Sequence, residues 1–500
     1  MSDLVVVYHR QPFEEQRIDG KTVRRPHRSP NGIVPTLRNF FQYFDSGSWL
    51  AWTAVAEGDQ GKLIRNEPIR FDGAAYNIAQ VGLTDAQVHS FYKVTSKAAL
   101  WPILHSFPER FDYDAADWET FREVNQIFAD AACRIAKPGA LIWVHDYNLW
   151  LVPAMIRAQR EDVRIAFFHH TPFPASDIFG ILPWRKEIIE SLLCCDRVGF
   201  HIPRYAENFC ASARAFAGAR GLHRRDVAPR MQTAGQALQE TSQVTGLSWK
   251  DRTIAVDAAP LGVNAAQIRK IASSDASQRR EHKIHEELAG QKLLFSVGRV
   301  DYTKGALEML QAYERLLERH PEQVGKIKLC LTSVAPAAGM SVYDECQAAI
   351  EQQVGAINGR FSRLGWTPIL LFTHAIPFDE LISWYRAADV AWLTPLRDGL
   401  NLVAKEFIAA RRDDHPGVLL LSEFCGAAVD LDGALLTHPY SHRNMDQALE
   451  RALNMDKAEA NARLQAMRKV VELHDLDRWI DDMLVRFDIQ RPAAEPRDVA

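Results

Sequence analysis

Residues 389–406 read Asp-Val-Ala-Trp-Leu-Thr-Pro-Leu-Arg-Asp-Gly-Leu-Asn-Leu-Val-Ala-Lys-Glu and concentrate groups that could do chemistry. Asp398 falls on a turn marked by Pro395 and Gly399. Glu406 falls on the first turns of a helix whose apolar spacing begins after Asn401. A helix start offers unpaired N–H groups and the positive end of the dipole, a seat for phosphate oxygens. Asp398 can accept hydrogen bonds from sugar hydroxyls, and Glu406 can hold a ribose diol. Carboxylates flanking a diphosphate seat suit a nucleotide-sugar better than a bare phosphate. The competing reading is an ordinary strand–loop–helix unit capped by Asn401.

Four further clusters fall where apolar runs end. In Ser296-Val-Gly-Arg-Val-Asp-Tyr-Thr-Lys-Gly305, Arg299 and Lys304 stand five residues apart before a glycine. Two such cations can close on a diphosphate and stabilise it best as it departs. Asp146 follows the run Leu141–Val144, and His169 and His170 follow Phe167-Phe168. Neighbours on a strand face opposite ways, so only one of these histidines is expected to line a site. Arg10 ends the first apolar run. It is followed by a loop, Asp19 to Gly32, whose Lys21, Arg24, Arg25 and Arg28 form a phosphate-seeking flap or simply a solvated charge run.

The elements that must position these groups are short apolar runs alternating with helical segments, the pattern of α/β folds with parallel sheets. Strands are expected at Leu4–Tyr8, Ala140–Val144, Val163–Phe168 and Arg197–Phe200, with helices over Trp118–Ala136 and Ile188–Leu193. Residues 217–250 are polar and weakly periodic, an excursion from the pattern. A second series opens with Thr253–Ala258 and continues through Lys292–Val297, Lys326–Leu331, Ile369–Phe372, Val390–Leu393 and Gly417–Leu421. The boundary lies near Pro260, and the end of the chain from Arg491 reads as a loose tail. Ligands of open α/β sheets bind beyond the C-terminal strand ends, so two facing domains would enclose a cleft.

Composition agrees with two globular domains: 500 residues, 47% hydrophobic and 24% charged. A net charge of −4 gives no support for nucleic-acid binding. No apolar run reaches membrane-spanning length and no signal-like start is present. The seven cysteines follow no disulfide or zinc spacing and read as reduced and buried. A cytosolic protein is expected.

Taken together, His145-Asp-Tyr, Phe168-His-His-Thr-Pro-Phe-Pro, Arg299-x-Asp-Tyr-x-Lys-Gly, Leu364-Gly-Trp-Thr-Pro and Thr394-Pro-Leu-Arg-Asp-Gly-Leu-Asn-Leu-Val-Ala-Lys-Glu resemble the trehalose-6-phosphate synthase family of retaining glycosyltransferases. The match runs from about residue 3 to residue 485. It implies an α/β GT-B fold of two Rossmann-like, doubly wound domains facing across a cleft. The first, acceptor-binding domain would span 1–260 and the nucleotide-sugar domain 261–473. A crossover helix at 474–490 would pack back on the first domain, with a flexible tail at 491–500. The resemblance assigns the donor to Gly32, His170, Arg299, Lys304, Asp398, Gly399, Leu400, Asn401, Leu402 and Glu406. It assigns the acceptor to Arg10, Tyr92, Trp101 and Asp146, and the catalytic roles to His170, Asp146, Arg299, Lys304 and Asp398. No metal and no cofactor are implied. Asp430-Leu-Asp432 imitates a metal-binding Asp-x-Asp, a match short enough to arise by chance.

Departures from the family pattern bear on the acceptor. Family members that use glucose 6-phosphate carry an arginine for its phosphate in a Thr-Ser-Arg-Gly-like loop. Here that stretch reads Ser333-Val-Ala-Pro-Ala-Ala-Gly-Met. Losing a charge-assisted phosphate contact costs about 1.5–3 kcal/mol, more than tenfold in affinity. Tyr8-His-Arg-Gln-Pro, the basic flap and Pro30-Asn-Gly-Ile-Val-Pro-Thr-Leu are similar to the glucosylglycerol-phosphate synthase branch. That branch implies ADP-glucose as donor, sn-glycerol 3-phosphate as acceptor and a separate phosphatase acting on the product. It implies neither a nucleic-acid nor a membrane partner. The alternatives are a trehalose-6-phosphate synthase using UDP- or ADP-glucose, a non-catalytic regulatory homologue, and a phosphorylase of related fold.

Overall fold

Val5, Val6 and Val7 are wholly buried, as are Leu293 and Leu294, and Val390 nearly so. Runs covered on both faces are what a parallel sheet between helix layers demands. The computed structural model describes residues 1–18, 21–25, 32–71, 73–113, 117–232, 236–334 and 341–489. These fold into two compact units.

The first unit comprises residues 1–227, 240–260 and the chain from Trp479 onward. Its strands are β1 (Ser2–Val7), β2 (Glu14–Ile18), β3 (Lys21–Arg25), β4 (Gly47–Ala54), β5 (Leu63–Phe71), β6 (Ala74–Leu83), β7 (Ala136–His145), β8 (Arg164–His169), β9 (Arg197–Phe200), β10 (Arg220–Asp226), β11 (Ser242–Trp249) and β12 (Arg252–Ala258). β2 and β3 form a separate antiparallel hairpin, and the other ten make one sheet in the order β10-β11-β12-β9-β8-β7-β1-β4-β6-β5. Within it, β1, β7 and β8 run parallel and end nearly level, Val7 opposite Val144 and His145 opposite Phe168. That register brings the residues after all three strands, Arg10, Asp146 and His170, to one edge of the sheet. Gly199 sits across from Phe168, where a Cβ would come within 2.7 Å of its ring.

The second unit comprises residues 228–239 and 261–478. Its strands β13 (Lys292–Arg299), β14 (Ile327–Val334), β15 (Ile369–Phe372), β16 (Val390–Leu393), β17 (Val418–Ser422) and β18 (Leu435–Thr437) form an all-parallel sheet in the order β15-β14-β13-β16-β17-β18. β13 and β16 are neighbours, with Leu294 opposite Val390, so the loops carrying Arg299 and Asp398 leave adjacent strands.

Three expectations change. Thr253–Ala258 does not open the second series: β12 pairs parallel with β9 and belongs to the first sheet. Apolar alternation marks a strand but not which sheet recruits it. The polar excursion is not strandless, because β10 and β11 extend the first sheet as an antiparallel pair. Every residue of β10 is exposed, which removes the pattern that would reveal it. Residues 228–239, expected within the first domain, group with the second unit instead. At the C-terminus, a helix spans Leu476–Arg486, and from Trp479 onward its residues belong to the first unit. Trp479 Nε1 donates to the Ala259 carbonyl at 3.1 Å, its ring lies 6.1 Å from that of Trp143, and Arg486 pairs with Asp257. The tail from residue 490 lies outside the described residues.

Candidate functional site

In the first unit, the turn after β7 gives Asp146 a positive φ of 69° with ψ 162°. Its amide donates to the Phe168 carbonyl at 3.0 Å, and Thr171 Oγ1 donates to its carboxylate at 3.4 Å. Burial pushes this carboxyl up, partly opposed by the Tyr147 amide and the charge of Lys97. His170 shares a hydrogen bond of 3.2 Å between its Nε2 and Nδ1 of His145. Burial, reinforced by the rings of His201, His145 and His169, holds His170 well below the usual imidazole range and so neutral. Its Nδ1 is buried and meets no hydrogen-bond partner among the described residues. His169 Nδ1 is 2.9 Å from the Thr171 carbonyl and 3.2 Å from Thr171 Oγ1, the hydroxyl that donates to Asp146. The two histidines have different partners, and both are buried.

The acceptor residues assigned by resemblance gather nearby. Arg10 Nη2 donates to the Tyr92 hydroxyl at 3.2 Å, and its carbonyl accepts from Trp49 Nε1 at 2.9 Å. Tyr92 and Trp101 lie on and just after a helix of π winding, His89–Leu100. Trp101 lies 6.0 Å, ring to ring, from Tyr147 beside Asp146. The sequence reading passes over two residues here. Lys97 holds its ammonium 3.5 Å above the Trp101 ring. His9 is buried, its ring 5.5 Å from that of Tyr92, with both nitrogens unpartnered among the described residues. The spacing of Tyr92, Lys97 and Trp101 carries the only available signal, and it is invisible if an α-helix is assumed.

The flap changes character. Arg24 of β3 donates to Glu15 and Glu67, both at 3.2 Å, which already meets its charge. Arg25 is exposed, and Arg28 lies outside the described residues. Gly32 has φ 132° and stands before the helix Ile33–Arg38, with no atom within 4 Å of where a Cβ would be.

In the second unit, two loops are stapled together. Gly305 takes φ 68° and passes so close to Thr394 that a Cβ would meet its carbonyl at 2.3 Å. The Leu396 amide donates to the Thr303 carbonyl at 2.8 Å. The result places Lys304 Nζ 2.7 Å from Asp398 Oδ2, an ion pair between two residues with separate expected duties. Arg299 ends β13 exposed, with no ion pair among the described residues. Asn401 caps the helix Leu402–Ala410 from a left-handed conformation, accepting from the Ala404 amide at 3.2 Å and donating to Asp398 at 3.2 Å. The Asp398–Leu400 turn is tied down by Asp398 N–H to Phe424 O, Gly426 N–H to Asp398 O and Ala427 N–H to Leu400 O. Glu406 is buried and accepts from the Tyr385 hydroxyl at 3.2 Å.

The Asp-x-Asp imitation is structural. Asp430 receives a buried ion pair from Lys405 at 2.9 Å, and Lys405 also donates to the Leu261 carbonyl. No cluster of three or more potential metal ligands exists among the described residues. No helix among them is long and apolar enough to cross a membrane. Cys194 and Cys346, expected buried, are partly exposed, and all seven cysteines are free thiols.

A family model described as Glycosyltransferase family 20 matches residues 2–488. A glucosylglycerol-phosphate synthase of Synechocystis sp. is 48% identical over 483 residues, 97% of each chain. A trehalose-6-phosphate synthase of Mycolicibacterium gilvum is 39% identical over 500 residues, 99% of this chain and 95% of that one. The crystal structure of an alpha,alpha-trehalose-phosphate synthase (UDP-forming) from Burkholderia vietnamiensis superposes with a TM-score of 0.84 at 29% identity, covering 98% of this chain and 97% of that one. Its likeness agrees with the two largely parallel α/β units described above, and the fold class is GT-B. With a match spanning nearly the whole chain, this protein belongs to glycosyltransferase family 20.

Proposed function

We propose that this chain is a glucosylglycerol-phosphate synthase. It transfers glucose from ADP-glucose to the 2-hydroxyl of sn-glycerol 3-phosphate with retention, giving 2-O-(α-D-glucopyranosyl)-sn-glycerol 3-phosphate and ADP. The observation that carries this reading is the gap between 48% identity to a glucosylglycerol-phosphate synthase and 39% to a trehalose-6-phosphate synthase over comparable spans. The absence of arginine from residues 333–340 supports it independently.

The residues take the following parts. Arg299 and Lys304 receive the diphosphate and stabilise its charge as the glycosidic bond breaks, the moment at which fixed cations act most strongly. Lys304, held by Asp398, bridges diphosphate and sugar. Gly32 and the backbone from Gly399 to Leu402 seat the phosphates, and Glu406 takes the ribose diol. His170, neutral with Nδ1 available, and Asp398 orient the transferred glucose through its hydroxyls. Asp146 positions the attacking hydroxyl. Its proton passes to the leaving phosphate as the new bond forms on the same face, so the anomeric configuration is kept without a protein nucleophile. Arg10, Tyr92 and Trp101 enclose the acceptor. The product retains its phosphate, so a separate phosphatase in the same cytosolic compartment must release glucosylglycerol, a compatible solute that protects against salt.

The test is a matrix of ADP-glucose and UDP-glucose against glycerol 3-phosphate and glucose 6-phosphate, read by nucleotide release. ADP release with glycerol 3-phosphate is expected to exceed every other combination. Glucose 6-phosphate as the best acceptor would turn the reading to trehalose-6-phosphate synthesis. No release from any pair would turn it to a regulatory homologue.

A further inference from the structure

Glycerol 3-phosphate presents a phosphate of nearly two negative charges on a three-carbon stem, and one guanidinium matches only part of that charge. The loop from which the family arginine is missing offers no replacement, and Arg24 of the flap is committed to Glu15 and Glu67. A second cation beside Arg10 would complete the match.

The helix His89–Leu100 supplies one through its winding. In an α-helix, residues five apart point about 140° away from each other. Here Trp101 N–H reaches back five residues to the Ser96 carbonyl, and Ser96 Oγ donates to the Phe91 carbonyl at 2.7 Å. Bonding of the i→i+5 kind is rare and clusters at functional sites. It brings residues five apart nearer to one face of the helix, Tyr92 and Lys97 among them. Trp101, four residues on, holds the ammonium by a cation–π contact with Nζ 3.5 Å from the ring centroid. Tyr92 in turn receives a hydrogen bond from Arg10. The charge of Lys97 is felt at both His9 and Asp146, which places it among the groups that flank the end of β1 and the turn after β7.

We propose that Lys97 is a specificity-determining residue that, with Arg10, binds the acceptor's phosphate, the role left open by the absent loop arginine. Trp101 positions its ammonium, and the π winding exists to bring Tyr92 and Lys97 to one face. The inference rests on the reading of this unit as the acceptor-binding one.

Lys97→Met keeps an unbranched apolar stem over Trp101 and removes the charge. Its acceptor KM should rise about tenfold or more, the span of a lost charge-assisted contact, while donor KM stays unchanged. Inorganic phosphate, used as a competitive inhibitor against the acceptor, should lose potency in parallel. Lys97→Arg should recover most of both effects, which a merely structural stem would not require. Unchanged acceptor KM and phosphate inhibition would overturn the proposal. So would a fall in kcat alone with a shifted pH profile, which would assign Lys97 to Asp146 instead. A wild-type enzyme that glucosylates only glucose 6-phosphate would sink the proposed acceptor, but the phosphate inhibition of Lys97→Met would still judge Lys97.

Discussion

At the strand ends of the first unit, Asp146 and His170 are less than a tenth exposed, and burial works against charge on both. At the strand ends of the second unit, Arg299 stands in solvent and Lys304 is held by a carboxylate 2.7 Å away. In both units the strands that carry these groups run parallel to their neighbours, so the difference lies in what each loop does with its polar groups. Under the proposed reading, the buried cluster orients hydroxyls by hydrogen bonding, where a competing charge would bring solvent. Under the same reading, the charged groups of the second unit receive a diphosphate, whose own charge completes the neutralisation. The division separates positioning from electrostatic stabilisation, and each half can be broken on its own.

The largest effect should come from the charged half. Arg299→Ala and Lys304→Ala should each lower kcat by about a hundredfold to a thousandfold, as removal of a transition-state donor does elsewhere, with unchanged melting behaviour. Near-normal turnover in both would show that the second unit does not stabilise the departing charge.

Acid sharpens the contrast. His9, His145, His169 and His170 all have imidazole pKa values pulled down by burial, His169 to about 4. Each contributes stability in full above its ordinary value, and that contribution is lost as pH falls from there toward the folded value, by up to about 1.4 kcal/mol per pH unit. In the second unit the shifts oppose each other, His285 being pulled down by burial and His320 raised by Glu450 and Glu322. Unfolding followed by segment-resolved hydrogen exchange should therefore show the first unit weakening between pH 6.5 and pH 4.5 well ahead of the second. Equal weakening of both would contradict the contrast.

The smallest effect concerns strain. Asp146 holds φ 69° and ψ 162°, a region that costs a non-glycine residue about 1–3 kcal/mol. Asp146→Gly should relieve this and, after the entropic penalty of glycine, raise unfolding stability by about 1 kcal/mol while lowering turnover. Loss of stability in denaturant titration would mean that the carboxylate holds the turn together.

Much of this organisation is legible in the chain. Buried parallel strands such as Val390–Leu393 announce themselves as unbroken apolar runs, and Asn401 announces the helix start that it caps. Gly305 stands out as a turn residue after Lys304, although its close approach to Thr394 appears only in the folded chain. What stays hidden has physical reasons. β10 lacks an apolar face because both its sides meet water. The ion pair of Lys304 with Asp398 joins residues 94 apart, a distance no local pattern encodes. Lys97 gives no local signal under α-helical geometry, and the wider winding brings it nearer to the face that carries Tyr92. The burial of Lys405 against Asp430 likewise explains an apparent metal motif that the sequence could only leave open.

Under the proposed function this chain glucosylates the smaller phosphorylated acceptor. Offering equal concentrations of glycerol 3-phosphate and glucose 6-phosphate together with ADP-glucose, and identifying products by mass, tests it most directly. Glucosylglycerol 3-phosphate is expected to dominate, with an α linkage by NMR. Predominant trehalose 6-phosphate would contradict it and leave only family membership standing.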